Sequence, residues 1–279
     1  MPGDLSLWWS VLCAAAVLNL AAWGVSAWLF KRRAAALPFE VRGTRQSVLW
    51  LSAIYVLGCG FRSVFPMIDV PRICLHDTVI SRIVIGRSVA TVAELCFAAQ
   101  WALLLREAAA AAGGGFAALL SRILVPLIVV AQISCWGAVL TTNYLLHAVE
   151  NSLWTLAAVL AIASFASLRA RFGEWHRPIL VAAIVCGAGY VAFMTIVDVP
   201  MYLARWQADV AAGHQLLPLS EGVREVLRRC TVNRDWAAWR MDAAWLTLYF
   251  TFAVWSSIAL AHVPAFAPAA VRPAGAKRG

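Results

Sequence analysis

A chain of 279 residues that is 62% hydrophobic and only 13% charged is too apolar for a soluble or an intrinsically disordered protein. Its formal net charge of +9 does not point to a nucleic-acid partner, because the basic residues sit mostly in short loops between apolar runs. Those runs number seven at roughly 20 residues each, the length a helix needs to cross a hydrocarbon layer, and they use nearly the whole chain.

The first span runs from about Leu5 to Phe30. Asp4 precedes it and Lys31, Arg32 and Arg33 follow, the reverse polarity of a cleavable signal, so it is read as a retained helix with its N-terminus outside. The second covers about Ser47 to Phe65 and stops at Pro66; the third covers about Ser81 to Leu105 and stops at Arg106. An Ala/Gly-rich connector, Ala108 to Phe116, leads to a fourth span from about Leu119 to Leu146, with a kink expected at Pro126. A tight turn at His147 to Ser152 then precedes the fifth span, which ends near Leu168. The sixth is about Ile179 to Val199, terminated by Pro200, and the seventh is about Met241 to Ala261. The outer loop 201–240 carries a short amphipathic helix, 221–230, capped by Ser220, with Val223, Val226, Leu227 and Cys230 on one face.

The expected fold is therefore an all-α integral membrane protein, a single bundle of seven transmembrane helices over residues 1–262, with 263–279 as a disordered cytoplasmic tail. Orientation follows from the basic residues, which gather on one side: Lys31 to Arg33, Arg42, Arg45, Arg106, Arg122, Arg169, Arg171, Arg177, Arg272, Lys277 and Arg278. That places the N-terminus outside and the C-terminus in the cytoplasm, as for a protein of the bacterial inner membrane. Trp8, Trp9, Trp236 and Trp239 then fall at the level of an outer aromatic belt.

Of seven cysteines, Cys13, Cys96, Cys135 and Cys186 lie inside spans and read as small apolar residues. Cys74 and Cys230 both lie in outer loops, and a bridge between them is expected, with Cys59 as the competing partner. The bridge would hold the amphipathic helix as a lid over the mouth of the bundle.

Charged side chains within spans are expensive and mark a path or a site. Arg62 near the outer end of span two, Arg87 in span three and Glu94 seven residues later on the same helical face are the candidates. One glutamate cannot balance two arginines, which favours an anionic or amphipathic small molecule or a lipid in an outward-facing pocket; Asp69, Asp77 or Asp198 are the alternative counter-charges. Sensing, carriage and an accessory role in a membrane complex all suit such a pocket. The competing interpretation of the same residues is an ion-pair lock without a ligand.

A second constellation points to an enzyme at the outer face. His76 with Asp77, His147 with Glu150, and Asp198 are donor types suited to zinc or iron. No HExxH or second HxxE supports them. The last span contains no lysine, so no retinal Schiff base is expected, and it lacks the histidine pair of membrane hydrolases of the ceramidase and progestin-receptor type. The remaining expected partners are membrane lipids and a membrane protein docked on the alanine-rich faces of spans one and five.

Overall fold

The computed structural model describes residues 3–174, 176–228 and 230–266. Most of the expected C-terminal tail, with Arg272, Lys277 and Arg278, lies outside the described residues. Seven helical runs are long and apolar enough to cross a bilayer, which makes the chain an integral membrane protein. The first five are α1 (Gly3–Arg33), α2 (Phe39–Val64), α3 (Ile83–Ala112), α4 (Gly115–Thr141) and α5 (Tyr144–Leu168). The sixth is α6 (Arg177–Phe193), which passes through a π-helical segment at Met194–Asp198 into α7 (Val199–Ala211). A short α8 (Leu219–Leu227) precedes the seventh, formed by α9 (Trp236–Leu248), a π-helical Tyr249–Ala253 and α10 (Val254–Leu260).

Successive helices from α1 to α6 pack side by side, and α9–α10 closes against α1, α2 and α3. Their directions alternate: Trp9 near the start of α1 donates to the Val64 carbonyl at the end of α2 (3.0 Å), and Arg171 after α5 donates to the Ala112 carbonyl at the end of α3 (2.9 Å). One end of the bundle thus gathers Lys31 to Arg33, Arg42, Arg45, Arg106, Arg169, Arg171 and Arg177. There Arg45, 1% exposed, makes a two-pronged pair with Glu107 at 2.6 and 2.9 Å. Arg45 Nε and Nη2 also donate to the carbonyls of Val263 and Pro264, and Phe266 N–H donates to Glu107. The first residues after the last span are therefore tied to the basic end by hydrogen bonds.

At the opposite end, the chain after α2 forms a hairpin of β1 (Met67–Ile68) and β2 (Ile73–Cys74). β2 pairs in parallel with β3 (Thr231–Val232), which comes from the segment before α9. The expected Cys74–Cys230 disulfide joins the same two segments. Arg72, held at φ 68°, donates to the carbonyls of Val139 and Leu140 and so satisfies the last turn of α4.

Four local expectations are corrected. The turn between spans four and five lies at Thr142–Asn143, not at 147–152. Thr142 adopts the left-handed conformation, and the Asn143 side chain caps α5 by accepting from Leu145 N–H. Span six does not end at Pro200: proline near the start of α7 follows a widened π turn, where its missing donor is tolerated. The amphipathic helix begins at Leu219 behind Pro218 without a side-chain cap, and its inward face is Gly222 and Val226. Val223 and Leu227 are exposed, because Gly222 is the residue that lets α8 lie against the α4 backbone: a Cβ there would stand 1.9 Å from the Leu140 carbonyl oxygen. Two residues of the expected tryptophan belt are interior instead, since Trp8 and Trp239 are buried with ring centroids 5.8 Å apart.

Candidate functional site

Beneath the disulfide-pinned cap, polar side chains from α2 to α5 and α9–α10 converge inside the bundle. Arg87, 4% exposed, is the hub. Its Nη2 donates to Glu94 Oε1 at 3.0 Å and to Gln132 Oε1 at 2.8 Å, and its Nη1 lies 3.5 Å from Asp69 Oδ2 and 4.0 Å from Glu150 Oε1. The spacing of seven on α3 puts Arg87 and Glu94 on one face, as read from the sequence, and α4 contributes Gln132, whose amide nitrogen donates to Glu94 Oε2 at 2.5 Å. Tyr249, first residue of the π segment in span seven, donates its hydroxyl to Glu94 Oε1 at 3.3 Å. The neighbouring Phe250 carbonyl accepts from Asn19 of α1 at 2.7 Å, so the irregular turn has an internal partner where lipid supplies none.

Arg62 lies in the same network. Its Nη2 donates to the Met67 carbonyl at 3.0 Å and stands 3.7 Å from Asp69 Oδ1. Arg62 and Asp69 are each 8% exposed, yet Arg62 Nε and Asp69 Oδ1 have no hydrogen-bond partner, and neither does the buried Tyr55 hydroxyl. Such groups cost free energy unless something satisfies them.

The charge balance differs from the one drawn from Arg62, Arg87 and Glu94 alone. Asp69 and Glu150 supply the missing counter-charges, so three carboxylates face two guanidiniums with a formal sum of −1. The positive excess that favoured an anion is absent from this group. Asp69 was visible in the sequence as a candidate counter-charge. Glu150 was not, because the misplaced turn put it in a loop.

The histidine–carboxylate set is divided. His147 and Glu150, both buried on the first turns of α5, meet with Nδ1 to Oε2 at 3.0 Å. Cys135 of α4 lies beside them, its Sγ 3.9 Å from His147 Nδ1. One donor atom from each of Cys135, His147 and Glu150 falls within 4.8 Å of the others. Cys135 escaped the sequence reading, although the correct turn would have found it. It lies seven residues before Thr142 and Glu150 seven after Asn143, so folding the hairpin at that turn brings them opposite each other.

His76 and Asp77 do not join that set among the described residues. His76 stays in the loop before α3, packed edge-on against Trp9 (5.0 Å) and Phe65 (6.0 Å). Burial, reinforced by the Arg234 charge, pushes its pKa below the ordinary histidine value. Asp198, buried in the π segment of span six, accepts a short hydrogen bond from Asn151 of α5 rather than touching His147.

Between α6 and α9 the contact is made by rings. Trp245 stacks on Phe193 at 5.4 Å and approaches Tyr190 at 6.2 Å, while Tyr249 lies 5.8 Å further in, its hydroxyl on Glu94. An aromatic seam therefore leads from the outer helix α6 to the polar core. Nearer the cap, Arg205 of α7 and Asp242 of α9 pair at 3.0 Å across the same seam. No protein-family model, curated protein or solved structure matches this chain.

Proposed function

We propose that this membrane protein binds the polar head of an amphipathic small molecule or lipid at the buried polar cluster beneath its cap. Arg62, Arg87 and Glu94 would contact the head group, and the apolar part would lie along the Tyr190–Phe193–Trp245 seam. The carrying observation is a pair of buried polar atoms, Arg62 Nε and Asp69 Oδ1, that lack a hydrogen-bond partner within the network. A group that both accepts and donates, such as a hydroxyl, an amide or a protonated carboxyl, would satisfy both atoms. The −1 formal sum favours a neutral or zwitterionic head over a further anion.

The cap end would face the non-cytoplasmic side of a bacterial inner membrane. The arginine-rich loops at the other end and the disulfide at this one support that orientation. The role would be sensing, carriage or assistance to another membrane complex. A membrane-embedded enzyme at the same end is the second reading, favoured by the approach of His147 to Glu150.

Thermal unfolding of the purified protein in nanodiscs, with and without monoolein as a neutral hydroxyl-bearing probe, tests the binding. Monoolein should raise the midpoint in the wild type and not in Arg62→Met, with oleate at pH 8 weaker. An equal rise in wild type and Arg62→Met would remove the proposal.

A further inference from the structure

We infer that Cys135, His147 and Glu150 form a three-donor site for a divalent transition metal, with zinc the best-fitting ion. Sulfur, imidazole nitrogen and carboxylate oxygen are the donors zinc prefers, and bond lengths of about 2.3, 2.0 and 2.1 Å fix their spacing. Around a tetrahedral ion those lengths place sulfur about 3.5 Å from nitrogen and nitrogen about 3.3 Å from oxygen. The corresponding separations here are 3.9 and 3.0 Å. Adjustments of a few tenths of an ångström, within reach of side-chain rotation, would seat the ion.

The scaffold is suited to the task. Cys135 and the His147–Glu150 pair belong to adjacent antiparallel helices joined by a two-residue turn, and the Asn143 cap fixes where α5 begins. His147 and Glu150 are three residues apart on one helical face. The second oxygen of Glu150 lies 4.0 Å from Arg87 Nη1, so the guanidinium orients the carboxylate from outside the donor set.

Charge supplies an independent argument. With Cys135 as a thiol, Asp69, Glu94 and Glu150 outweigh Arg62 and Arg87 by one unit. Metal uptake converts Cys135 S–H into an S–metal bond and releases that proton to solvent, while His147 offers the Nδ1 lone pair and carries its proton on Nε2. Four negative groups then face two guanidiniums and a 2+ ion, and the buried group becomes neutral. Three protein donors leave a fourth position for water or a ligand, the pattern of reactive rather than closed zinc sites. The donor atoms are distinct from the Arg62–Asp69 pair, so loss of metal binding in Cys135→Ser and loss of head-group binding in Arg62→Met report separately, although both proposals draw on one charge sum.

Cobalt(II) titration of tag-free, full-length protein in detergent, with its disulfide intact, tests the site. One equivalent should bind with a near-ultraviolet thiolate-to-cobalt absorption. Cys135→Ser should abolish that band, whereas Cys186→Ser should retain it. His147→Ala should weaken binding more than about 100-fold, beyond what loss of an outer partner costs. Absence of binding, or a band that survives Cys135→Ser, would overturn the assignment. Should Cys135→Ser fail to fold, zinc-edge X-ray absorption of the wild type decides. A shell with one sulfur supports the site; a shell of nitrogen and oxygen alone refutes it.

Discussion

Replacing Arg87 with methionine is the sharpest perturbation of the polar core. The guanidinium makes its closest contacts with Glu94 at 3.0 Å and Gln132 at 2.8 Å, and lies within 4.0 Å of Asp69 and Glu150. Its loss leaves three buried carboxylates against Arg62 alone, and breaking one side of a buried pair costs about 3–5 kcal/mol. Glu94→Gln alone removes a carboxylate but keeps an amide able to bond Gln132 and Tyr249, so a smaller cost of about 1–3 kcal/mol is expected. The two together remove one charge of each sign and restore the original sum. The double variant should therefore be less destabilised than the sum of the singles, by about 1–3 kcal/mol. Reversible unfolding in mixed micelles, followed by tryptophan fluorescence, reads all four corners of the cycle. Additivity within about 0.5 kcal/mol would show that the pair does not act as a unit and would refute the reasoning.

Further outcomes concern the cap. Gly222→Ala should loosen α8, because the new methyl meets the Leu140 backbone at 1.9 Å; we expect a loss of about 1–3 kcal/mol and faster tryptic cleavage at Arg224 and Arg228. Alkylation should leave Cys74 and Cys230 unmodified until a reductant is added, and reduction should then speed the same cleavage. The bridge spans 156 residues of sequence, for which chain entropy alone sets an upper limit of about 5 kcal/mol. Stability should fall with acidity through His76. Its folded pKa lies below the unfolded value of about 6.5, so its contribution is present above that pH and is lost as pH drops through the folded value. His76→Phe, which keeps the ring against Trp9 and Phe65, should flatten part of the decline in melting temperature between pH 7 and pH 5.

Hydropathy alone carried the seven spans, since lipid leaves a helix no other way to satisfy its backbone. The Cys74–Cys230 pairing was also legible, because both residues sit in loops at one end while most other cysteines lie well inside spans. The Arg87–Glu94 contact followed from helical spacing. What stayed hidden depended on a few turns. Apolar Leu145 and Leu146 masked the α4–α5 boundary, although Asn143 is a good helix cap and marked it. That slip moved His147 and Glu150 from the interior to a loop and severed both from Cys135. Pro200 likewise read as a stop, because a π turn that accommodates proline leaves no periodicity to detect. Gly222 carries no sequence signal of its own, yet its lack of a side chain decides which face of α8 turns inward.

The hook formed by β2, β3 and the disulfide also constrains how the chain is made. Cys74 leaves the ribosome long before Cys230, with four spans and α8 synthesised between them. Oxidation to the native bridge must wait until the sixth span has been inserted and its trailing segment delivered to the side where Cys74 already stands. During that interval Cys74 has no Cys230 to pair with, and the strand that β3 adds to the roof is missing. The roof therefore closes only after the sixth span is in place, and an oxidant-deficient cell should accumulate an inserted but unsealed form.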